Sequence, residues 1–294
     1  MEQSMNNSND PLAVIYTEGP WRLCKLSPLY NLEYTTVRFK QYAAKIRQEL
    51  TSAVSVNTSV KYAVQFQPQP LLKYSEKDAD GIIISVAATA ETKGKVPYVA
   101  ILLSWGISSN LDGATHLPFM LERGEQRLGV SVRASLQKIF DCNIKQYNFT
   151  QHQLLQFGMN FIENNTSRSN DPFTMLYKLP LSEVNHKLTL SFDVGDIRSI
   201  WNDVKEEDNQ PSELVNIAYQ ILQNQIFCNM SLDISTFDIC EVSLPTAEVK
   251  NSGVIKMKTP EVINCVFTVL NEITDIYNAI DAVSECTDSN IMET

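Results

Sequence analysis

Apolar side chains recur along this chain at two spacings, and the change from one to the other marks the predicted helices and strands. Behind Thr35 or Thr36, either of which can cap a helix, apolar positions three and four apart predict one buried helical face. These positions are Phe39, Tyr42, Ala43, Ile46 and Leu50. The same spacing predicts a second helix from Leu128, with Val132, Leu136, Ile139 and Phe140 on one face.

Between these helices the spacing is that of β-strands. Residues 57–67 alternate, with Val60, Tyr62, Val64 and Phe66 on one face. Residues 80–90 and 95–105 are continuous apolar runs, which are typical of strands buried on both faces. The turn-like "ETKGK" joins the two runs, so we predict a β-hairpin here.

The second half of the chain mixes both patterns. Thr150 can cap a helix, "HKLTLSFDV" alternates as a strand, and a short helix follows it. The segments "MSLDISTFDICEVSL" and "SGVIKMK" are two more predicted strands, and Thr259-Pro260 opens a helix that runs to about Ile280. Strands and helices do not alternate regularly. The predicted fold class is therefore α+β with a largely antiparallel sheet.

Length and composition suggest how these elements are grouped. The chain has 294 residues and 44% hydrophobic content, enough for one large or two medium domains. We expect a disordered N-terminal tail over residues 1–20, an α+β lobe over 21–185, a second α+β lobe over 186–280 and an acidic tail over 281–294. No apolar run approaches the roughly 20 residues of a membrane span, and the N-terminus has no signal-peptide pattern.

The net charge is −10, but bases cluster in two segments. Residues 21–50 carry six bases against two acids, and residues 116–145 carry five against three. Chance patchiness is the favoured explanation, and the alternative is that either segment meets a partner or phosphate. The candidate contacts are Arg22, Lys25, Arg38, Lys40, Arg123, Arg127, Arg133 and Lys138.

Candidate catalytic chemistry is limited to His116 and Cys142, which flank the second predicted helix. Asp141 stands beside Cys142 and would raise the pKa of its thiol, so burial explains this cysteine better than activation. The six cysteines include no Cys-x-x-Cys pair, and we interpret them as reduced thiols. No phosphate-binding glycine loop or nucleophile elbow is present. We predict no catalytic residues, no metal site and no cofactor.

Four stretches together resemble one known family. They are "WRLCKLSPLYNLEYTTVRFKQYAAKI", "HLPFMLERGEQRLGVSVRASLQKIFDCNI", "LTLSFDVGDIRSIWNDV" and "SGVIKMKTPEVINCVFTVLNEI", in order over residues 21–280. In that order and spacing the chain resembles centromere protein L, an inner-kinetochore subunit. The resemblance implies a non-enzymatic nuclear scaffold at the centromere, with a curved, largely antiparallel sheet flanked by helices.

The resemblance also implies partners. Members of the family pair with centromere protein N, sheet edge to sheet edge, through the C-terminal part. The matching strand here comprises Val254, Ile255, Lys256, Met257 and Lys258, preceded by "MSLDISTFDI". An edge strand offers unpaired N–H and C=O groups to another chain. The alternative is that this strand lies inside the chain's own sheet.

Other inner-kinetochore subunits are expected partners as well. Centromeric nucleosomes and DNA are expected to be reached through the complex, because a net charge of −10 disfavours tight DNA binding by this chain alone. Three alternatives remain open at this point: another α+β adaptor, a small hydrolase that uses Cys142 or His116, and autonomous DNA binding.

Overall fold

A computed structural model describes residues 12–17, 19–54, 61–88, 97–105, 113–164, 172–179, 186–205 and 211–273. The chain divides into two compact units. Among the described residues, 21–147 and 270–273 form what we call the N-terminal unit, and 12–20 and 148–269 form the C-terminal unit. The predicted acidic tail and residues 1–11 of the predicted N-terminal tail lie outside the described residues.

The helices and strands are numbered along the chain. The helices are α1 (Ala13–Thr17), α2 (Thr36–Val54), α3 (Gln126–Phe140), α4 (Gln151–Asn164), α5 (Val194–Lys205), α6 (Pro211–Met230) and α7 (260–273). The strands are β1 (Trp21–Leu26), β2 (Leu29–Tyr30), β3 (Tyr62–Gln69), β4 (Gly81–Ala88), β5 (Tyr98–Leu103), β6 (Ala114–Thr115), β7 (Phe119–Gly124), β8 (Ile144–Gln146), β9 (Pro172–Lys178), β10 (Lys187–Asp193), β11 (Asp238–Leu244), β12 (Ala247–Lys250) and β13 (Val254–Met257).

An antiparallel sheet in the order β8-β1-β7-β5-β4-β3 forms the body of the N-terminal unit. The predicted hairpin is confirmed as β4 and β5, which pair in the register Ile83↔Ile101. Every residue of β5 is buried, as its continuous apolar run predicts. The short strands β2 and β6 pair separately from this sheet.

Helices α2 and α3 pack together and contribute to one hydrophobic core with the strands of the N-terminal unit. The Oγ1 of Thr35 accepts a hydrogen bond from the backbone N–H of Arg38, which confirms the predicted cap of α2. All five predicted face residues of α2 are buried. The ring centroids of Tyr42 and Phe140 lie 4.9 Å apart and join the two helices.

The C-terminal unit contains an antiparallel sheet in the order β10-β9-β11-β12-β13, against which α4 packs. The caps predicted for α4 and α7 are confirmed: Thr150 and Thr259 accept hydrogen bonds from the backbone N–H groups of Gln153 and Val262. Together the two units confirm the α+β class with largely antiparallel sheets.

The long strand predicted over residues 230–244 is shorter in the structure. Helix α6 extends to Met230, Ser231 adopts a left-handed conformation (φ 52°), and β11 begins only at Asp238. Between them the Asp233 carboxylate accepts a hydrogen bond from the Ser235 N–H, which stabilises a turn. Strand β12, which the sequence pattern did not separate, then lies between β11 and β13.

Two observations differ from the predicted domain plan. Helix α1 lies inside the predicted disordered tail of residues 1–20, and its Ile15 is fully buried. Strand β9 pairs with both β10 and β11, so a boundary at residue 185 would separate hydrogen-bonded strands. The compact units instead divide between residues 147 and 148.

Candidate protein interface

The strand with the predicted partner-binding residues is β13, followed by Lys258. It pairs with β12 in the register Ala247↔Met257 and Val249↔Ile255. The Lys258 N–H donates to the Thr246 carbonyl. Because only every second residue of an antiparallel strand directs its backbone groups to a given neighbour, Ile255 and Met257 direct their N–H and C=O groups away from β12.

Burial limits the use of that edge of β13. Ile255 and Met257 are 0% exposed, backbone included, and Val254 and Lys256 are half-buried. Lys258 is exposed, but its ammonium group donates to the Pro245 carbonyl. The backbone groups that would receive a partner strand are therefore inaccessible in the folded chain. The partner-binding role of β13 stays a prediction.

Strand β10 offers an accessible edge instead. Among the described strands it pairs with β9 alone. The Leu179 N–H donates to the His186 carbonyl. Every second residue from His186 onward therefore directs its N–H and C=O groups toward β9, and the residues between them direct theirs away from it. The residues whose backbone groups point away from β9 are all exposed: Lys187, Thr189, Ser191 and Asp193.

The structure brings two of the predicted basic residues together around one buried acid, Glu122 on β7. Arg22 on β1 donates from Nε to Glu122 Oε1 at 3.1 Å, and Arg133 on α3 forms a second ion pair with the same oxygen. Tyr98 on β5 donates its hydroxyl to Glu122 Oε2 at 2.9 Å. Glu122 is 1% exposed. Through the two arginines and Tyr98, Glu122 therefore joins three strands and a helix.

Close packing at this cluster favours a glycine. A Cβ at Gly129 on α3 would lie 3.1 Å from the Tyr98 ring and 3.3 Å from Glu122 Oε2. Gly129 thus lets α3 approach the sheet closely enough for Arg133 to reach Glu122. Glu122 was not singled out in the sequence analysis. The available signal was one acid that directly follows the apolar stretch "FML" and precedes "RG".

Some of the other predicted basic residues already interact with side chains of this chain. Arg38 pairs with Glu33 at 2.8 Å, and Lys138 pairs with Glu49 at 2.9 Å. The Arg123 guanidinium lies 5.4 Å from the centroid of the Trp21 ring. Three more are exposed: Lys25, Lys40 and Arg127. The predicted set is thus divided between structural pairs and surface positions and does not form one basic site.

The thiol of Cys142, one of the two candidate catalytic residues, is not activated. Burial raises the pKa of the Cys142 thiol to about 11, and the neighbouring Asp141 adds to the rise. Burial also lowers the pKa of His116. A thiol with a raised pKa stays protonated at neutral pH and is a poor nucleophile. Within the described part of the chain, no group of three or more His, Cys, Asp or Glu residues could hold a metal ion.

The free energy of unfolding is expected to fall as the pH rises from about 9 to about 12, in part because of Cys24. Burial raises the pKa of this thiol from 9.0 to about 12 in the folded chain, and Glu122 contributes to the rise. The unfolded chain therefore loses its proton first, and stability that is complete below pH 9 is lost above it. In urea titrations at several pH values, Cys24→Ala should show a shallower alkaline decline, and an unchanged decline would contradict this assignment.

The described chain thus comprises two α+β units, and strand β10 of the C-terminal unit has one open edge. Among the described residues, no helix is long and apolar enough to cross a membrane. The family model for centromere protein L matches residues 17–285, and the chain belongs to this family. It is therefore a centromere and kinetochore protein of an inner-kinetochore family of structural components. No curated individual protein matches the chain.

Proposed function

We propose that this chain is a non-enzymatic scaffold subunit that pairs with centromere protein N in the nucleus. Within the constitutive centromere-associated network, the pair would help to link chromatin containing centromere protein A to the kinetochore during chromosome segregation. Membership of the centromere protein L family supports the proposal, and the accessible edge of β10 is the observation that carries it.

Strand β10 suits edge-to-edge pairing better than the predicted β13. The outward N–H and C=O groups of Thr189 and Ser191 belong to exposed residues, whereas those of Ile255 and Met257 belong to fully buried ones. A partner strand on β10 would extend a sheet that β9 already anchors. On its inner face Leu190 is buried, so the strand is held in register while its edge stays accessible.

Co-expression of the full chain with centromere protein N, followed by size-exclusion chromatography, tests the pairing. We expect a one-to-one complex that stays intact on dilution and at moderate salt, because backbone pairing is screened less than surface charge. Two separate peaks at all concentrations would contradict the proposal. The double variant of β10 described in the Discussion then tests which edge is used.

Contact with nucleosomes and DNA is proposed to belong to the complex. Of the predicted basic residues, Arg22 and Arg133 are held by Glu122, and Arg38 and Lys138 by Glu33 and Glu49. Arg127 is exposed and is the candidate that would contribute within the complex.

The chain alone is expected to bind duplex DNA weakly, with a shallow dependence of affinity on salt. Each phosphate contact makes the slope of log K against log salt more negative by about 0.9, and the chain's net charge of −10 disfavours many such contacts. Fluorescence anisotropy at several salt concentrations measures this slope. A steep slope for the isolated chain would favour the alternative of autonomous DNA binding.

A further inference from the structure

A second strand edge without a described neighbouring strand lies in the N-terminal unit, on β3, where Tyr62 and Phe66 are half-buried and Val64 is 8% exposed. Among the described strands, β3 pairs with β4 alone. The Glu125 N–H donates to the Pro97 carbonyl. Together with the registers of β7, β5 and β4, this bond determines which residues direct their N–H and C=O groups to which neighbouring strand. Applied to β3, the same alternation directs the backbone groups of Tyr62, Val64 and Phe66 away from β4.

Pro68 agrees with this assignment. It occupies the next outward position on β3, where its missing N–H leaves no ladder hydrogen bond unmade. Proline is accepted within strands at edges for this reason. Phe66 is therefore the last outward residue of β3 with an N–H to donate, and the edge before it is long enough for a short extended segment.

A groove of about 410 Å³ runs between this edge and α2. Its walls include the rings of Tyr34, Phe39 and Phe66, and the rings of Phe39 and Phe66 stack with centroids 5.9 Å apart. Tyr34 is 37% exposed, and its hydroxyl donates to the Asp80 carbonyl, which holds the ring at the groove. The groove therefore offers an aromatic surface to an apolar side chain.

The charge beside the groove is positive. Lys40 lines it, and Arg47 lies seven residues further along α2, on the same helical face. No ion pair between described residues involves either of these cations, and β3 contains no charged residue. Lys45 lies on a different side of α2, where it lines a separate groove with Lys138 of α3.

These features together fit an extended acidic peptide better than nucleic acid. A duplex would use the cations but neither the strand edge nor the aromatic groove, and the chain's net charge of −10 opposes a polyanion at longer range. A peptide strand uses all three: its backbone pairs with the edge, an apolar side chain enters the groove and its carboxylates meet Lys40 and Arg47.

We propose that the groove between α2 and β3 binds an extended segment of a partner protein that carries acidic residues around an apolar or aromatic side chain. The segment adds to β3 as a further strand. This surface belongs to the N-terminal unit, whereas the β10 edge belongs to the C-terminal unit.

Selection from a phage-displayed library of random peptides of about 12 residues, presented to the immobilised full chain, provides the probe. Selected peptides are expected to combine acidic residues with an apolar or aromatic residue. Measured by fluorescence anisotropy, Lys40→Glu should weaken their binding by about tenfold or more, because a close attractive charge becomes repulsive. Lys45→Glu is the matched control on the same helix and should change the Kd by less than about twofold.

Alternate N-methylation of the selected peptide tests the strand pairing. Methyl groups on the N–H groups that face β3 should abolish binding, whereas methyl groups on the other alternate set should leave it intact. Equal tolerance of both sets would overturn strand addition. Equal effects of Lys40→Glu and Lys45→Glu, or displacement of the peptide by a DNA duplex of about 20 base pairs, would overturn the proposed peptide site.

Discussion

Replacing Glu122 with alanine is expected to lower the free energy of unfolding by about 3 kcal/mol. The substitution leaves Arg22 and Arg133, whose side chains are 31% and 26% exposed, without their shared counter-ion. It also removes the acceptor of the buried Tyr98 hydroxyl. We take the lower end of the range for broken buried ion pairs because both arginines still reach some water. Urea unfolding followed by circular dichroism measures the change.

Two variants separate the contributions at this cluster. Tyr98→Phe removes one hydrogen bond and keeps the ion pairs, so it should cost about 1 kcal/mol. Glu125→Ala removes an exposed acid three residues from Glu122 and should change stability by less than about 0.5 kcal/mol. If Glu122→Ala and Glu125→Ala lowered the free energy of unfolding by the same small amount, the interactions of Glu122 would not stabilise the N-terminal unit.

The double variant Thr189→Pro/Ser191→Pro is expected to weaken the complex with centromere protein N by about 100-fold. Both residues direct their N–H groups away from β9, so proline removes two donors from the open edge and no donor from the β9 pairing. Two lost backbone hydrogen bonds, at about 1.4 kcal/mol for each tenfold change, account for a loss of this size. Isothermal titration calorimetry of the purified chains measures the Kd.

The matched control is Thr189→Ala/Ser191→Ala, which changes the same side chains and keeps both N–H groups. It should bind centromere protein N within about threefold of the original chain. Substitutions in β13 are less informative, because Ile255 is fully buried and Ile255→Asp would destabilise the C-terminal unit itself. If the proline variant binds as well as the alanine variant, pairing does not use β10.

The sequence was enough to predict helix caps and buried strands, because each depends on residues that are close together in the chain. Thr35, Thr150 and Thr259 each cap the helix that the sequence assigned to them. The apolar run of β5 identified a strand buried on both faces. In each case a helix cap or a hydrophobic period is a property of neighbouring residues, so it can be read without the fold.

Features that depend on distant residues could not be predicted in this way. Arg22 and Arg133 looked like surface cations until the strand pairing placed Glu122 between them. The alternation of β13 gave no sign that both of its outward backbone positions are buried. Sheet order decides which strand edge is accessible, and it is set by long-range pairing, whereas periodicity reports only which face of a strand is apolar.

Hydrogen–deuterium exchange of the full chain, with and without centromere protein N, tests the central claim most directly. Exchange in residues 187–193 should slow markedly in the complex, because the outward amides of Thr189 and Ser191 would become hydrogen-bonded. Residues 62–69 of β3 should exchange at the same rate in both states. Unchanged exchange in β10, with protection confined to other segments of the chain, would contradict the account.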